Sequence, residues 1–380
     1  MNKRISAFLD QRIRSGDFPS AVYLVAEKGK IIFQDALGFA VVKPERIPAR
    51  LDTIYDLASL TKPLVTGLLA AQAIENGEFK LSSKIGDLSG PISGSRLAGL
   101  TVQELATHTS GLAAWKPLYL LCASRGVVPL AIAKHGPKET AGRSVEYSDL
   151  NFIILGIALG WMLLQLDFWK KVSVPLELKR TNYKPTSDFG GESHDQVEIA
   201  ASEEGNGYEK QTCIEQGYLG PIEDIQSTAG PSLFRREIIW GEVHDGNAYF
   251  MNGIAGHAGL FSTADEVFKV ALQFLSGHTK LLKPDTCELF RTNFTKGMKE
   301  DRSFAFQLAS TKDSTAGSLM SPESFGHNGF TGTSLWIDPV RERIFVLLTN
   351  RTHAHSLPFV NINSVRRRFH DIAIEELDKL

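Results

Sequence analysis

The chain has 380 residues, of which 43% are hydrophobic and 22% are charged, and its formal net charge is −2. This length and this apolar content are sufficient for one large domain, or two ordinary ones, with a sizeable core. The nearly balanced charge gives no electrostatic reason to expect binding to nucleic acid or to an anionic membrane.

The N-terminal segment MNKRISAFLDQRIRSG predicts an amphipathic helix, with Ile5, Phe8 and Leu9 on one side. It carries positive charge early but lacks the apolar stretch of a secretory signal peptide. The sequence therefore predicts a cytoplasmic location.

Strands are predicted at both ends of the chain. AVYLVAEKG and KIIFQDALGFA indicate a hairpin turning at Lys28-Gly29, while SFAFQLAS, TSLWIDP and RIFVLLTNR precede a C-terminal helix. Residues 59–295 are predicted to be mostly helix and loop, including a helix capped by Thr263. Because strands at the two ends most simply pair with one another, we expect an α+β fold. An antiparallel sheet (1–58 and 296–380) would be flanked by helices and a mostly helical subdomain (59–295), with a cleft between the layers.

The apolar stretch FIILGIALGWMLLQL covers residues 152–166. Its 15 residues fall short of the roughly 20 that a membrane-spanning helix needs, so a buried helix is predicted. A second hypothesis is that one face of this helix contacts another subunit in a homodimer.

The three cysteines, Cys122, Cys213 and Cys287, are widely spaced. Their number and spacing fit neither a disulfide framework nor a zinc site, so buried thiols are expected. His244 and Asp245 are adjacent and have no further ligand cluster nearby in the sequence. No metal site and no cofactor are predicted.

The stretch TIYDLASLTKPLVTGLLAAQAIENG, residues 53–77, places Ser59 at the start of a predicted helix that ends at Asn76-Gly77. Lys62 lies one turn later on the same face. A lysine desolvated in this position can lose proton affinity and act as a base toward the serine. The alternative is that Ser59 only caps the helix and that Lys62 extends to solvent.

Two further stretches supply what a serine nucleophile needs. RSVEYSDLNFIILG places Tyr147 before the buried helix, where a phenol near the lysine can carry a proton to the leaving group. FGHNGFTGTSLWIDP places His327-Asn328-Gly329 ahead of a strand. Gly329 would let a substrate approach the strand edge, so that the N–H groups of Phe330 and Ser59 could form an oxyanion hole.

Three ordered motifs, Ser59-x-x-Lys62, Tyr147-Ser148-Asp149 and His327-Asn328-Gly329, resemble those of the penicillin-recognising serine hydrolases. The chain is most similar to their class C β-lactamase-related group, which includes family VIII carboxylesterases and low-molecular-weight D-alanyl-D-alanine peptidases. LATHTSGL (105–112) and NGIAGHAGLFSTADEV (252–267) also match, and the resemblance covers nearly the whole chain. It implies the same sheet-and-helix fold. An alternative parsing, in which Ser148-Asp149 begins a class A Ser-Asp-Asn motif, is interrupted by Leu150.

The resemblance also implies roles for individual residues. Ser59 would be the acylated nucleophile, Lys62 its base partner and Tyr147 the proton relay. The residues implied in substrate binding are Asp149, His327, Asn328, Gly329 and Phe330.

Two departures from class C lactamases bear on the substrate. The motif Tyr-x-Asn ends here in Asp149, which only accepts hydrogen bonds when ionised. The lysine of the third motif is replaced by His327, which is largely neutral near pH 7 and attracts an anion less strongly. We therefore expect a carboxylesterase that hydrolyses short-chain esters. The alternatives are a β-lactamase or D-alanyl-D-alanine carboxypeptidase acting on a β-lactam or peptide, and a non-catalytic penicillin-binding-like protein.

Overall fold

A computed structural model describes residues 1–138, 141–160, 163–187, 192–220 and 234–380. The strands are β1 (Ser20–Glu27), β2 (Lys30–Val41), β3 (Ile47–Pro48), β4 (Tyr55–Asp56), β5 (Phe261–Ser262), β6 (Gln307–Leu308), β7 (Phe325–Asn328), β8 (Ser334–Asp338) and β9 (Arg343–Thr349). The α-helices are α1 (Lys3–Arg14), α2 (Leu68–Glu75), α3 (Ile85–Leu88), α4 (Val102–Ala106), α5 (Leu118–Leu121), α6 (Val128–His135), α7 (Asp149–Ala158), α8 (Leu164–Phe168), α9 (Gly207–Glu215), α10 (Gly246–Phe250), α11 (Ala264–Ala271) and α12 (Asn363–Leu377).

Seven strands form the main sheet, in the order β3-β2-β1-β9-β8-β7-β6, and each neighbouring pair is antiparallel. The predicted pairing of the two chain ends is confirmed, because β1 lies directly beside β9. The hairpin turns at Lys28 and Gly29, whose φ angles of 49° and 74° suit a tight two-residue turn. Strand β7 was not predicted as a strand, and only two residues of the predicted strand SFAFQLAS form β6.

Both faces of the sheet are covered, so the central strands are almost wholly apolar. In β1, Tyr23 and Val25 belong to a cluster under α1 and α12, whereas Val22 and Leu24 belong to a larger cluster under the remaining helices. This alternation follows from the two-residue period of a strand. The layered architecture predicted from the sequence is therefore confirmed.

The apolar stretch at residues 152–166 begins inside α7. Phe152, Ile153, Ile154 and Leu155 each have no exposed surface, which confirms the predicted buried helix. Those four side chains pack within the core of the chain itself. The predicted contact of this helix with a second subunit in a homodimer remains a prediction. Residues 161 and 162 of the stretch lie outside the described residues. None of the helices in the described ranges is both long enough and apolar enough to span a membrane.

The three cysteines are free and buried, as the sequence predicts. Burial raises the pKa of the Cys122 and Cys213 thiols, and it raises the pKa of Cys287 to about 11. These thiols therefore stay protonated near neutral pH and behave as small apolar side chains.

His370 of α12 is buried beside the sheet, and its Nδ1 lies 2.8 Å from the Thr315 carbonyl oxygen. Burial lowers the pKa of His370 to about 3. In the unfolded chain the His370 imidazole binds a proton near pH 6.5, whereas in the folded chain it stays neutral to a much lower pH. The contribution of His370 to the free energy of unfolding is therefore fully present above pH 6.5 and is lost as the pH falls. We expect His370→Gln, which can still donate to Thr315, to reduce this loss by up to about 1.4 kcal/mol for each pH unit between 6.5 and about 3. Urea unfolding of both proteins at several pH values measures the difference, and parallel curves would contradict it.

Candidate active site

Ser59 lies on the wall of a cavity of about 570 Å³. It sits in a 3₁₀ turn, Ala58–Leu60, which is followed by a π-helical segment, Lys62–Gly67, before α2 begins. The sequence predicted a regular helix over this whole stretch. Ala58 has a φ of 48°, which is strained for a residue other than glycine, and its N–H donates to Asp56 Oδ1 at 2.8 Å. The backbone is therefore held in an unusual conformation immediately before the serine.

The side chain of Lys62 is completely buried and points at Ser59. Its Nζ lies 2.8 Å from Ser59 Oγ, 3.2 Å from the His257 carbonyl oxygen and 2.7 Å from Asp149 Oδ1. The ammonium group thus donates hydrogen bonds to Ser59 and to the His257 carbonyl, and it forms an ion pair with Asp149. The juxtaposition of serine and lysine agrees with the sequence motif.

The predicted pKa of Lys62 is wrong in its direction. Burial alone would lower this pKa, but the interactions with Asp149 and Tyr147 outweigh burial and raise it. Lys62 therefore holds its proton near neutral pH. In this state it is a donor to Ser59 Oγ and a source of positive charge.

Tyr147 lies on the same cavity wall as Ser59. The Lys62 Nζ is 5.0 Å from the centroid of its ring, and the guanidinium carbon of Arg302 is 5.4 Å from it. His108 packs against the ring with a centroid distance of 4.6 Å, and its Nδ1 accepts a hydrogen bond from the Ser148 N–H at 3.0 Å. His108 thus holds the turn before α7, and its ring contact fixes the tyrosine beside the lysine.

Asp149 is the first residue of α7, and 18% of its side chain is exposed in the cavity. The sequence assigned Asp149 to substrate binding, and this remains a prediction. In the structure its carboxylate forms the ion pair with Lys62, so the residue also sets the charge state of that lysine.

His327 and Asn328 belong to β7 and line the cavity. Burial, followed by the charges of Lys62 and Arg302, holds the pKa of His327 well below 6.5. The histidine is therefore neutral, as the sequence argument expected. Asn328 is partly engaged in the fold, because its Nδ2 donates to Thr315 Oγ1 at 2.9 Å.

The turn after β7 is attached to the segment before Ser59. The hydroxyls of Thr331 and Thr333 donate to the carbonyl oxygens of Asp56 and Leu57, at 2.7 and 2.9 Å. Gly329 is required for this approach, since a Cβ there would lie 2.5 Å from the Leu57 carbonyl oxygen.

These attachments bear on the predicted oxyanion hole. Within the described ranges, the N–H groups of Ser59 and Phe330 donate to no other group of the chain. Ser59 and Phe330 both line the cavity. Their N–H groups are thus available to a substrate oxygen, and their role as its donors remains a prediction.

Sequence reasoning missed several charged residues around the cavity. Arg302 is buried, lies over Tyr147 and is bound by Glu300, with Nη2 2.8 Å from Glu300 Oε2. Asp245 Oδ1 lies 2.9 Å from His257 Nε2, and this pair fixes the residue whose carbonyl accepts from Lys62. The stretch around His257 had been noted as a match to related proteins, but nothing in the local sequence distinguishes Arg302 from any other arginine.

A sequence match to a known protein family runs along nearly the whole chain. A sequence profile of the β-lactamase family matches residues 5–365. The chain belongs to the β-lactamase family. Residues from all three sequence motifs line one cavity of this chain.

Individual relatives agree with this assignment. The chain is 28% identical over 385 residues to a protein of Escherichia coli (strain K12) named "Putative D-alanyl-D-alanine carboxypeptidase", covering 92% of this chain and 82% of the relative. Among solved structures it is similar to EstCE1, "a hydrolase with promiscuous acyltransferase activity", with a TM-score of 0.69, 19% identity and 97% coverage of both chains. A class C β-lactamase gives a TM-score of 0.68 at 15% identity, covering 99% of this chain and 97% of the other. At these identities the two structures support the fold, and the predicted β-lactamase-like architecture is confirmed.

Proposed function

We propose that this chain is a serine hydrolase that forms an acyl-enzyme at Ser59 and hydrolyses short-chain carboxylic esters. The observation that carries the proposal is the 2.8 Å contact between Lys62 Nζ and Ser59 Oγ on the wall of an accessible cavity. A fully buried lysine that is aimed at a partly exposed hydroxyl needs a chemical explanation, because burial of an amino group is costly.

The reaction would proceed in two halves. Ser59 Oγ attacks the ester carbonyl carbon and passes its proton to the Tyr147 oxygen while Tyr147 passes its own phenolic proton to the leaving-group oxygen, and the N–H groups of Ser59 and Phe330 bind the resulting oxyanion. The tetrahedral intermediate then releases the alcohol, and Tyr147 is again a neutral phenol. Water repeats these steps on the acyl-enzyme, releasing the carboxylic acid and restoring the Ser59 hydroxyl.

Lys62 would act in this scheme as a permanent cation. Its raised pKa, its two hydrogen-bond acceptors and its ion pair with Asp149 favour the protonated state throughout the cycle. The positive charge stabilises negative charge that develops on Ser59 Oγ and on the Tyr147 oxygen. We therefore assign proton transfer to Tyr147 rather than to Lys62.

The choice of an ester rests on the third motif. His327 is neutral there, so this position offers no charge to attract the carboxylate that a β-lactam presents. Aromatic side chains line part of the cavity wall, beside charged residues, and they include Trp115, Tyr208 and Phe330. This aromatic part of the wall suits a small uncharged acyl group.

A D-alanyl-D-alanine carboxypeptidase is the second candidate function. The name of the Escherichia coli relative supports it, and so does Arg302, which places a cation near the cavity despite the absence of the motif lysine. The same Ser59 chemistry would then act on an amide bond.

Substrate comparison and covalent labelling test the proposal. We expect turnover of p-nitrophenyl butyrate, and labelling of the Ser59 peptide by a fluorophosphonate in intact-protein and peptide mass spectrometry. Release of D-alanine from a D-alanyl-D-alanine peptide at a higher kcat/KM than ester turnover would favour the second candidate, and nitrocefin hydrolysis would favour a β-lactamase. Absence of any label on Ser59 would refute both acyl-enzyme proposals.

A further inference from the structure

Two arginine side chains bind the backbone of the turn that follows β7. Arg366, in the first turn of α12, donates from Nη2 to the carbonyl oxygens of Gly329 at 2.8 Å and Thr333 at 3.0 Å. Arg351 donates from Nε to the carbonyl oxygen of Phe330 at 2.7 Å. This turn carries the Phe330 N–H that faces the cavity in the proposed oxyanion hole.

Neither arginine has an acidic partner in the described part of the chain. Arg366 is only 6% exposed, and its remaining side-chain contact is from Nη1 to Asn363 Oδ1 at 2.9 Å. Burial lowers the pKa of Arg366 and of Arg351, since no carboxylate offsets the loss of water. A desolvated charge of this kind interacts strongly with neighbouring dipoles, and for both arginines these include peptide groups of the turn, although Arg351 also donates to the Val360 carbonyl oxygen at 2.7 Å.

The two arginines bind different peptide groups. The Gly329 carbonyl, which accepts from Arg366, and the Phe330 N–H are the two ends of one peptide group. The Phe330 carbonyl, which accepts from Arg351, belongs to the next peptide group and shares no amide with the Phe330 N–H. Donation by a charged group to a carbonyl polarises its amide and makes the attached N–H a stronger donor.

We infer that Arg366 is a positioning residue that strengthens the oxyanion hole by polarising the Gly329–Phe330 peptide group. The inference rests on the proposed acyl-enzyme chemistry at Ser59. The guanidinium acts through the backbone and need not touch the substrate. Its effect should therefore be larger in the transition state, where the oxygen is negatively charged, than in the bound ester.

The test uses Arg366→Met and an uncharged p-nitrophenyl ester, so that direct attraction of an anionic substrate cannot contribute. We expect kcat to fall about 10- to 100-fold with little change in KM, as for the loss of part of an oxyanion-hole interaction. The stretching frequency of the acyl-enzyme carbonyl, measured by infrared spectroscopy with an isotope-labelled acyl group, should rise because its hydrogen bonds are weaker. Arg366→Lys keeps the positive charge but not the planar guanidinium group. Its acyl-enzyme carbonyl frequency should therefore lie between those of the wild-type protein and Arg366→Met.

Two matched variants separate polarisation from general damage. Arg351→Met removes a guanidinium from the same turn but from the neighbouring peptide group, so its carbonyl frequency should shift less than that of Arg366→Met. Arg368→Gln removes an exposed arginine of the same helix, which pairs with Glu375 at 3.4 Å, and should leave both readouts unchanged.

The outcomes are distinguishable. A folded Arg366→Met protein with wild-type kcat and carbonyl frequency would overturn the inference, and so would equal frequency shifts in Arg366→Met and Arg351→Met. If circular dichroism shows that Arg366→Met does not fold, the same measurements are made on Arg366→Lys. A wild-type kcat and a wild-type carbonyl frequency in Arg366→Lys would then overturn the inference. Failure of the wild-type protein to form any acyl-enzyme would instead count against the proposed function.

Discussion

Replacing Ser59 with alanine is expected to lower kcat for a p-nitrophenyl ester by about four orders of magnitude or more, because the nucleophile itself is removed. Stability should change by less than about 1 kcal/mol, since the hydroxyl contributes one hydrogen bond and the Lys62 ammonium retains the His257 carbonyl and Asp149. Steady-state kinetics and urea unfolding measure the two effects.

Ser93→Ala provides the control for this substitution. Ser93 is exposed and lies outside the cavity, so the same change of side chain there should leave ester turnover at the wild-type level. Retention of wild-type turnover by Ser59→Ala would show that another group performs the chemistry.

Replacing Lys62 with methionine is expected to affect both activity and stability. Turnover should fall by about three orders of magnitude, since residues that act as a unit fail together. Stability should fall by up to about 3 kcal/mol, because the Asp149 carboxylate loses its partner; the solvent that reaches 18% of that side chain limits the cost. Ester kinetics and urea unfolding again give both values.

Two comparisons separate the roles of the Lys62–Asp149 pair. The double variant Lys62→Met with Asp149→Asn removes the unpaired charge, so it should recover much of the stability without recovering turnover. Lys138→Met breaks the exposed pair of Lys138 with Glu146, whose side chains are 55% and 32% exposed, and should cost less than about 1 kcal/mol. If Lys62→Met kept wild-type turnover, the lysine would have no part in the reaction.

The sequence was informative where spacing alone determines geometry. A serine and a lysine three positions apart on a helical turn must lie on one face, and the structure places their polar atoms 2.8 Å apart. The pairing of the two chain ends followed from strand periodicity in the same way. These inferences needed only local patterns and the resemblance to known hydrolases.

The charge state of Lys62 could not be obtained in that way. Its pKa depends on the balance between burial and two partners, Tyr147 and Asp149, that lie more than 80 positions away in the sequence. The sequence indicates burial of Lys62 but not its partners, and burial alone lowers the pKa. The motif predicts a contact of Asp149 with substrate and gives no sign of its ion pair with the lysine.

Arg302 and Arg366 illustrate the same limit. Each is significant because of what surrounds it: the ring of Tyr147 for Arg302, and the carbonyls of Gly329 and Thr333 for Arg366. No local pattern marks either residue, because their partners come from other elements. Strand β7 was missed for a related reason: its four residues are too few for a two-residue period to be recognised.

The threonine hydroxyls that join the β7–β8 turn to the Ser59 segment have a consequence for how the protein fails on heating. They connect positions 275 and 276 residues apart, and the strands beside this turn lie close to an edge of the sheet, where β6 has only two residues. Edges loosen before interiors do. On heating, activity should therefore be lost while most of the secondary structure is still intact. The temperature of inactivation is then expected to lie below the melting temperature of the whole molecule.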